Sequence, residues 1–175
     1  MITAIIETLN DEVALAHALA ALVPAATEGV LREVIVIDHC STDGTLVVAD
    51  AAGCNVVVAA KVAGDPRRFA AERARGAWLL LLPPSAELAP DWQGAAMAFA
   101  DRAMVAGRGM TAVGRFDQGR LVPGWWARLA EAWRWLVGAA PQGGVLVSKD
   151  NWLALTATSP ASSASTVSDV RRGAA

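Results

Sequence analysis

A short run of β-branched residues ending on a carboxylate constrains this chain more than any other segment. Residues 33–38 read Glu-Val-Ile-Val-Ile-Asp, and a polar loop, His-Cys-Ser-Thr-Asp-Gly-Thr, follows at 39–45. A continuous apolar run of this length between charged ends predicts a strand that is buried on both faces. Asp38 then lies where the strand leaves the sheet. Because ligands of open α/β sheets bind beyond the carboxyl ends of strands, Asp38 is the leading candidate for a site residue.

The rest of the chain predicts strands that alternate with helices. Apolar runs predict strands at residues 3–8, 55–60 and 78–82, with weaker ones at 110–116 and 143–148. Helical patterns lie between these strands: one ends at Leu22, and others cover 42–52, 67–75 and 91–102. A further helical pattern covers 125–137. Residues 23–29 are predicted as a loop and 150–155 as a turn of helix. This alternation predicts right-handed βαβ units and a three-layer α/β/α fold with a mainly parallel sheet. We expect one domain over residues 1–155 and a disordered tail, rich in Ser and Ala, over 156–175.

Charge and cysteine content narrow the class of function. The formal net charge is −2, which disfavours a nucleic-acid partner because such proteins carry a basic surface. Two cysteines without metal-ligand spacing indicate a reduced chain. The first residues lack the basic start of a signal peptide, and no apolar run is long enough to span a membrane. We therefore expect a cytoplasmic location.

Three segments of the chain form a recognisable set. They read Ile-Ile-Glu-Thr-Leu-Asn-Asp-Glu at 5–12, the strand and loop of 33–45, and Ala-Arg-Gly-Ala-Trp followed by four leucines at 74–82. Together they resemble glycosyltransferase family 2, whose members have the GT-A fold. The middle segment is the most specific, because strand, Asp, Ser-Thr-Asp-Gly-Thr and helix follow in the order that the fold requires. A later segment, 138–149, is similar to one bacterial branch of the family.

The resemblance implies that the chain binds a nucleotide-diphosphate sugar and gives roles to particular residues. Thr8 and the turn that carries Asn10 and Glu12 would line the base and ribose. Asp38 would accept a hydrogen bond from the base, for which a fixed carboxylate facing the imide N–H of uracil is well suited. The alternative for Asp38 is a structural one, in which it caps the next helix. Residues 41–43 are expected to cap the second helix, and Gly44 to allow either close packing or an unusual backbone angle.

Basic residues crowd the third predicted helix and suggest a contact to the diphosphate. Arg67 and Arg68 are the chosen candidates, since guanidinium groups pair well with phosphate oxygens. The alternative is that this basic face is simply solvated.

Two departures from the family pattern affect the chemical half of the site. Family members hold a divalent metal, Mg²⁺ or Mn²⁺, with acids that follow the fourth strand, whereas residues 82–86 here read Leu-Pro-Pro-Ser-Ala. Glu87 lies two residues beyond the expected position. The downstream acid that serves inverting members as general base is also missing, and Asp150 is out of register. Glu7 replaces a proline. We therefore predict no metal site, and we keep two hypotheses: a family 2-like glycosyltransferase, or a catalytically degenerate nucleotide-sugar-binding or protein-interaction module without metal-dependent transfer.

Tryptophans in the predicted helix 125–137 suggest a further contact. Trp125 and Trp135 align with arginines on one side of that helix, a pattern suited to a partner protein or to the inner membrane surface. Packing in the core or between copies is the preferred alternative.

Overall fold

The computed structural model describes residues 1–107, 111–117, 120–123 and 144–157. Its strands, in chain order, are β1 (Ile2–Thr8), β2 (Leu31–Asp38), β3 (Asn55–Val58), β4 (Trp78–Leu82), β5 (Val113–Asp117), β6 (Arg120–Pro123) and β7 (Val145–Ser148). Its helices are α1 (Glu12–Thr27), α2 (Thr45–Ala51), α3 (Pro66–Arg73), α4 (Trp92–Val105) and α5 (Lys149–Ala157). The predicted Trp-rich helix, with Trp125 and Trp135, lies outside the described residues.

The described strands form one sheet in the order β3-β2-β1-β4-β7-β5-β6. The first four strands in this order are parallel, and the pairings that involve β7, β5 and β6 are antiparallel. Helices cover both faces, so the three-layer α/β/α prediction is confirmed. Parallel order places the carboxyl ends of β1, β2 and β4 at one edge of the sheet, which is where a ligand would be expected.

Two apolar clusters lie on opposite faces of the sheet. On one face, alternate residues of β1 pack with α1, α2 and α4; on the other, Ile5 and Ile37 pack with α3 and α5. Side chains point to opposite faces along a strand, so a strand covered on both sides is apolar at nearly every position. This explains why β2 and β4 could be recognised as unbroken Val, Ile and Leu runs.

The first helix is longer than the sequence pattern predicted. It extends through Pro24 to Thr27, where a loop was expected from residue 23, so that prediction was wrong. Proline removes one backbone donor from the helix, but Leu22 and Ala25 are buried and hold the last turns against the sheet. The Thr27 hydroxyl also donates to the Pro24 carbonyl at 2.8 Å.

Other element boundaries also differ from prediction. β3 ends at Val58, and a short 3-10 turn, Ala59–Lys61, takes the place of its last two predicted residues. α3 ends at Arg73, two residues early, because the following backbone turns toward β1 and β2. The predicted turn at 150–155 is the nine-residue helix α5, which includes the first two residues assigned to the tail. Residues 158–175 lie outside the described part.

The described residues contain no helix that combines the length and apolarity needed to cross a membrane.

Candidate functional site

Thr8 and Asp38 end neighbouring strands and face each other in register at the carboxyl edge of the sheet. Both are buried, with relative exposures of 2% and 1%. The Thr8 hydroxyl donates to the Ile37 carbonyl at 3.4 Å. The predicted base-recognition residue therefore lies at the expected edge, beneath the loop that follows it.

The Asp38 carboxylate is bonded to its own loop. One oxygen accepts from the backbone N–H groups of Cys40 and Ser41 at 3.0 and 3.2 Å. Cys40 adopts a left-handed conformation with φ of 66°, which turns these N–H groups back toward the strand end. These bonds give Asp38 a structural role in its own loop, but not the predicted cap on the next helix, which begins at Thr45. A carboxylate retains further lone pairs, but a base could reach them only if the loop opened.

The turn after β1 and the loop after β2 are joined by hydrogen bonds. The Asn10 side-chain oxygen accepts from the Thr42 N–H at 2.8 Å, and the Asn10 N–H donates to the Ser41 hydroxyl at 2.9 Å. The Glu12 carboxylate accepts from the Gly44 N–H at 3.0 Å. Asn10 and Glu12, predicted to line a base and ribose, thus use polar atoms to hold the adjacent loop in place.

The hydrogen bonds between the turn after β1 and the loop after β2 also explain why α2 begins later in the sequence than predicted. Residues 41–43 were expected to cap a helix beginning at 42, but the helix begins at Thr45. Asp43 accepts from the Thr45 N–H at 3.0 Å and from the Thr45 hydroxyl, and the Thr45 hydroxyl bond is the main cause that lowers the pKa of Asp43. The expected close packing at Gly44 is confirmed, because an added Cβ there would lie 2.5 Å from the Glu12 carboxyl carbon.

A cluster of charged side chains joins α3 to the carboxyl edge. Glu7 is bonded through one carboxylate oxygen to the Arg67 Nε and through the other to the His39 Nε2, at 3.1 Å. The contact brings Arg67 beside the ends of β1 and β2. Glu7 was missed as the partner of Arg67, and His39 as the second partner of Glu7; the signal was the acid at a position where the family has proline.

Arg68 points elsewhere. Its Nε pairs with Glu72 at 2.9 Å, one helical turn along α3, and its Nη1 donates to the Leu153 carbonyl of α5 at 3.3 Å. The two adjacent arginines therefore make separate sets of contacts, and Arg67 is the one placed at the candidate site.

The residues after β4 do not fit a divalent metal. Residues 83–86 offer proline, serine and alanine where oxygen-rich acids are needed. Among the described residues, no group of three or more His, Cys, Asp or Glu side chains could hold a metal ion.

The Ala-Arg-Gly segment lies at the opposite, amino-terminal end of β1 and β2. Arg75 donates from its backbone N–H and its Nε to Glu33, at 2.6 and 2.8 Å. The Gly76 N–H donates to the Thr3 hydroxyl at 2.9 Å. This segment therefore connects strands rather than lining the candidate site.

Comparisons with known proteins agree with this architecture. Glucosyl-3-phosphoglycerate synthase from Mycobacterium tuberculosis, in complex with uridine diphosphate, is similar at a TM-score of 0.56 and 19% identity. Complexes of that enzyme with Mn²⁺, UDP-glucose and phosphoglyceric acid, and with Mg²⁺ and uridine diphosphate, give 0.55 and 19%. Each alignment covers 86% of this chain and 57% of the enzyme, so the chain spans little more than half of that protein.

This likeness confirms the GT-A fold. No curated protein matches the chain. The model of Glycosyl transferase family 2 matches residues 3–142. The chain therefore belongs to glycosyl transferase family 2.

Proposed function

We propose that this chain binds a nucleoside-diphosphate sugar at the carboxyl edge of β1 and β2, without metal-dependent transfer of the sugar. The observation that carries the proposal is the position of Arg67. Its contact with Glu7, at the end of β1, brings a guanidinium to the edge where Asp38 ends the neighbouring strand. A base-recognition residue and a cation for phosphate thus belong to one edge.

The base half of the proposed site consists of Thr8, Asn10, Glu12 and Asp38. The carboxylate of Asp38 would accept from the imide N–H of uracil once the 39–45 loop opens, as a charge-assisted hydrogen bond. Uridine diphosphate is the first ligand to test, because the similar synthase is described in complex with it.

The phosphate half depends on Arg67. The contacts of Arg68 with Glu72 and with α5 favour Arg67 over its neighbour. A guanidinium can donate two parallel hydrogen bonds to a phosphate and stays charged at every working pH. Since residues 83–86 carry no acid, we propose that this binding does not require a divalent cation.

Family membership favours sugar transfer, and the side chains favour binding alone. Transfer requires stabilisation of the departing diphosphate and a base for the acceptor hydroxyl. The acids that supply both in the family have no counterpart at residues 82–86 or in the register of Asp150. We therefore place binding first. The second candidate, transfer assisted by arginine and lysine in place of metal, follows from the family alone.

Calorimetric titration with uridine diphosphate and UDP-glucose, in chelator and then in Mn²⁺ or Mg²⁺, tests the proposal. We expect equal affinities in all three conditions and no sugar release by chromatography. Arg67→Gln should weaken uridine diphosphate binding about tenfold, the effect of one charge-assisted bond, and the matched Arg68→Gln less than about twofold. No binding in any condition would refute the proposal; strong metal dependence would refute its metal-independent part.

A further inference from the structure

The Glu7 carboxylate is bonded to Arg67, the residue that the proposed function assigns to the phosphate. One of its oxygens bonds to the Arg67 Nε, and the other lies 3.1 Å from the His39 Nε2. The three residues come from β1, the loop after β2, and α3. They meet only because parallel strands end at one edge.

A carboxylate and a phosphate compete for the same guanidinium. Both present oxygen pairs that accept from the planar N–H groups of arginine, and both gain from its charge. A phosphate that approaches Arg67 therefore meets donors already engaged by Glu7. It also meets the negative charge of Glu7 itself, which repels a diphosphate.

The pair is accessible enough to exchange. The Arg67 and Glu7 side chains are 38% and 30% exposed, so water screens their attraction. Ion pairs at this level of exposure contribute about 0.2–1 kcal/mol, far less than a buried pair. His39, which is 42% exposed on the other side of Glu7, offers the carboxylate a partner after Arg67 is released.

We propose that Glu7 is an internal competitor, which holds Arg67 in the free protein and must be displaced by the diphosphate. This inference rests on the proposed function and adds a regulatory contact within that same site. It makes residue 7 a determinant of affinity, although it need not touch the nucleotide. It also predicts that the glutamate at this position, where the family has proline, weakens nucleotide binding.

The fold itself does not depend on the pair. The buried residues of β1 that pack into the two clusters are Ile2, Ala4, Ile5 and Ile6, whereas the Glu7 side chain bonds to partly exposed groups. Glu7→Gln keeps the shape of the side chain and removes its charge. We therefore expect a folded variant, with a melting temperature close to that of the natural chain.

Calorimetric titrations with uridine diphosphate and with inorganic pyrophosphate, both in chelator, test the inference. Glu7→Gln should bind both more tightly than the natural chain, by up to about fivefold, the factor that corresponds to one released surface ion pair. The gain should shrink at high salt, because screening weakens both the pair and the repulsion. In Glu7→Gln/Arg67→Gln the gain should disappear.

Glu72→Gln is the matched control, since it removes an acid paired with the neighbouring Arg68. An equal gain in this variant would mean a general charge effect and would overturn the inference. Uridine diphosphate binding that is unchanged by Glu7→Gln would overturn it while leaving the proposed function standing. If the natural chain and all variants fail to bind uridine diphosphate, both fail; binding by Glu7→Gln alone supports the inference.

Discussion

Replacing Glu33 by glutamine tests the network that joins the amino-terminal ends of β1 and β2 to the Ala-Arg-Gly segment. The Glu33 side chain is 6% exposed. Its oxygens accept from the Arg75 N–H at 2.6 Å, the Arg75 Nε at 2.8 Å, the Thr3 hydroxyl at 3.1 Å and the Asn55 amide at 3.0 Å. Glutamine keeps one acceptor and turns an NH₂ group toward donors. At about 0.5–1.5 kcal/mol for each lost bond, discounted because the Arg75 side chain is exposed, we expect a loss of about 1–2 kcal/mol in unfolding free energy.

The pH dependence of this loss identifies its cause. Burial alone raises the pKa of Glu33, but bonds from the Arg75 N–H, the Arg75 side chain and Thr3, with the Arg75 charge, bring that pKa below its ordinary 4.5. A carboxyl whose pKa is lower in the folded chain stabilises the fold fully above the unfolded pKa. This contribution is lost as the pH falls through the folded pKa.

Urea denaturation, from neutral pH down through the unfolded pKa of Glu33 and below, measures both effects. The difference between the natural chain and Glu33→Gln should be full at neutral pH and should shrink on acidification. Glu72→Gln, which removes an exposed pair one helical turn apart, should cost only about 0.3–0.5 kcal/mol. A loss for Glu33→Gln no larger than this control, or one that does not shrink in acid, would refute the reasoning.

Four other substitutions probe the backbone and the thiols. Gly76→Ala should lower the unfolding free energy by about 1–3 kcal/mol, because the new Cβ would lie 2.6 Å from the Thr3 nitrogen; Gly94→Ala, in an open position of α4, should raise it by about 0.5–1 kcal/mol. Cys40→Gly should raise the unfolding free energy measured in urea by roughly 0.5 kcal/mol, because glycine tolerates the left-handed φ of residue 40 but makes the unfolded chain more flexible. Cys40→Ser should not raise it. Dithionitrobenzoate should modify exposed Cys40 fast and Cys54 slowly, because burial raises the pKa of the Cys54 thiol; a fast phase that persists in Cys40→Ser would contradict this.

The parallel half of the sheet could be predicted because a strand buried on both faces is apolar at nearly every position, and such a run is visible in the local sequence. β2 and β4 are unbroken apolar runs, and the order of strand, loop and helix places Asp38 at the carboxyl edge without knowledge of distant contacts. The same local reasoning failed for α1, since Pro24 is an ordinary helix breaker. Burial of the helix against the sheet outweighs the lost donor, and that burial is a tertiary effect.

The contacts within the candidate site could not be predicted because their partners are far apart in sequence. Asn10 and Thr42 are separated by 32 positions, and Glu7 and Arg67 by 60. Composition indicated a basic α3 but gave no reason to pair one arginine with β1 and the next with α5. Residues 41–43 were predicted to cap the second helix, but the Ser41 and Thr42 hydroxyls bond to Asn10 of the neighbouring turn, and only Asp43 bonds to the first residue of α2.

Under the proposed function, the charges at the carboxyl edge should affect how tightly a nucleotide binds and not whether its sugar is transferred. Glu7 lies one residue before the end of β1 and Asp38 ends the neighbouring β2, so a diphosphate that enters meets negative charge unless a cation compensates it. Residues 83–86 carry no acid that could hold a metal cation, so under the proposed function the compensation would come from Arg67, which is paired with Glu7. Changes at residue 7 should therefore alter how tightly the nucleotide binds without creating sugar transfer. Acids introduced after β4 should alter the metal response without releasing Arg67.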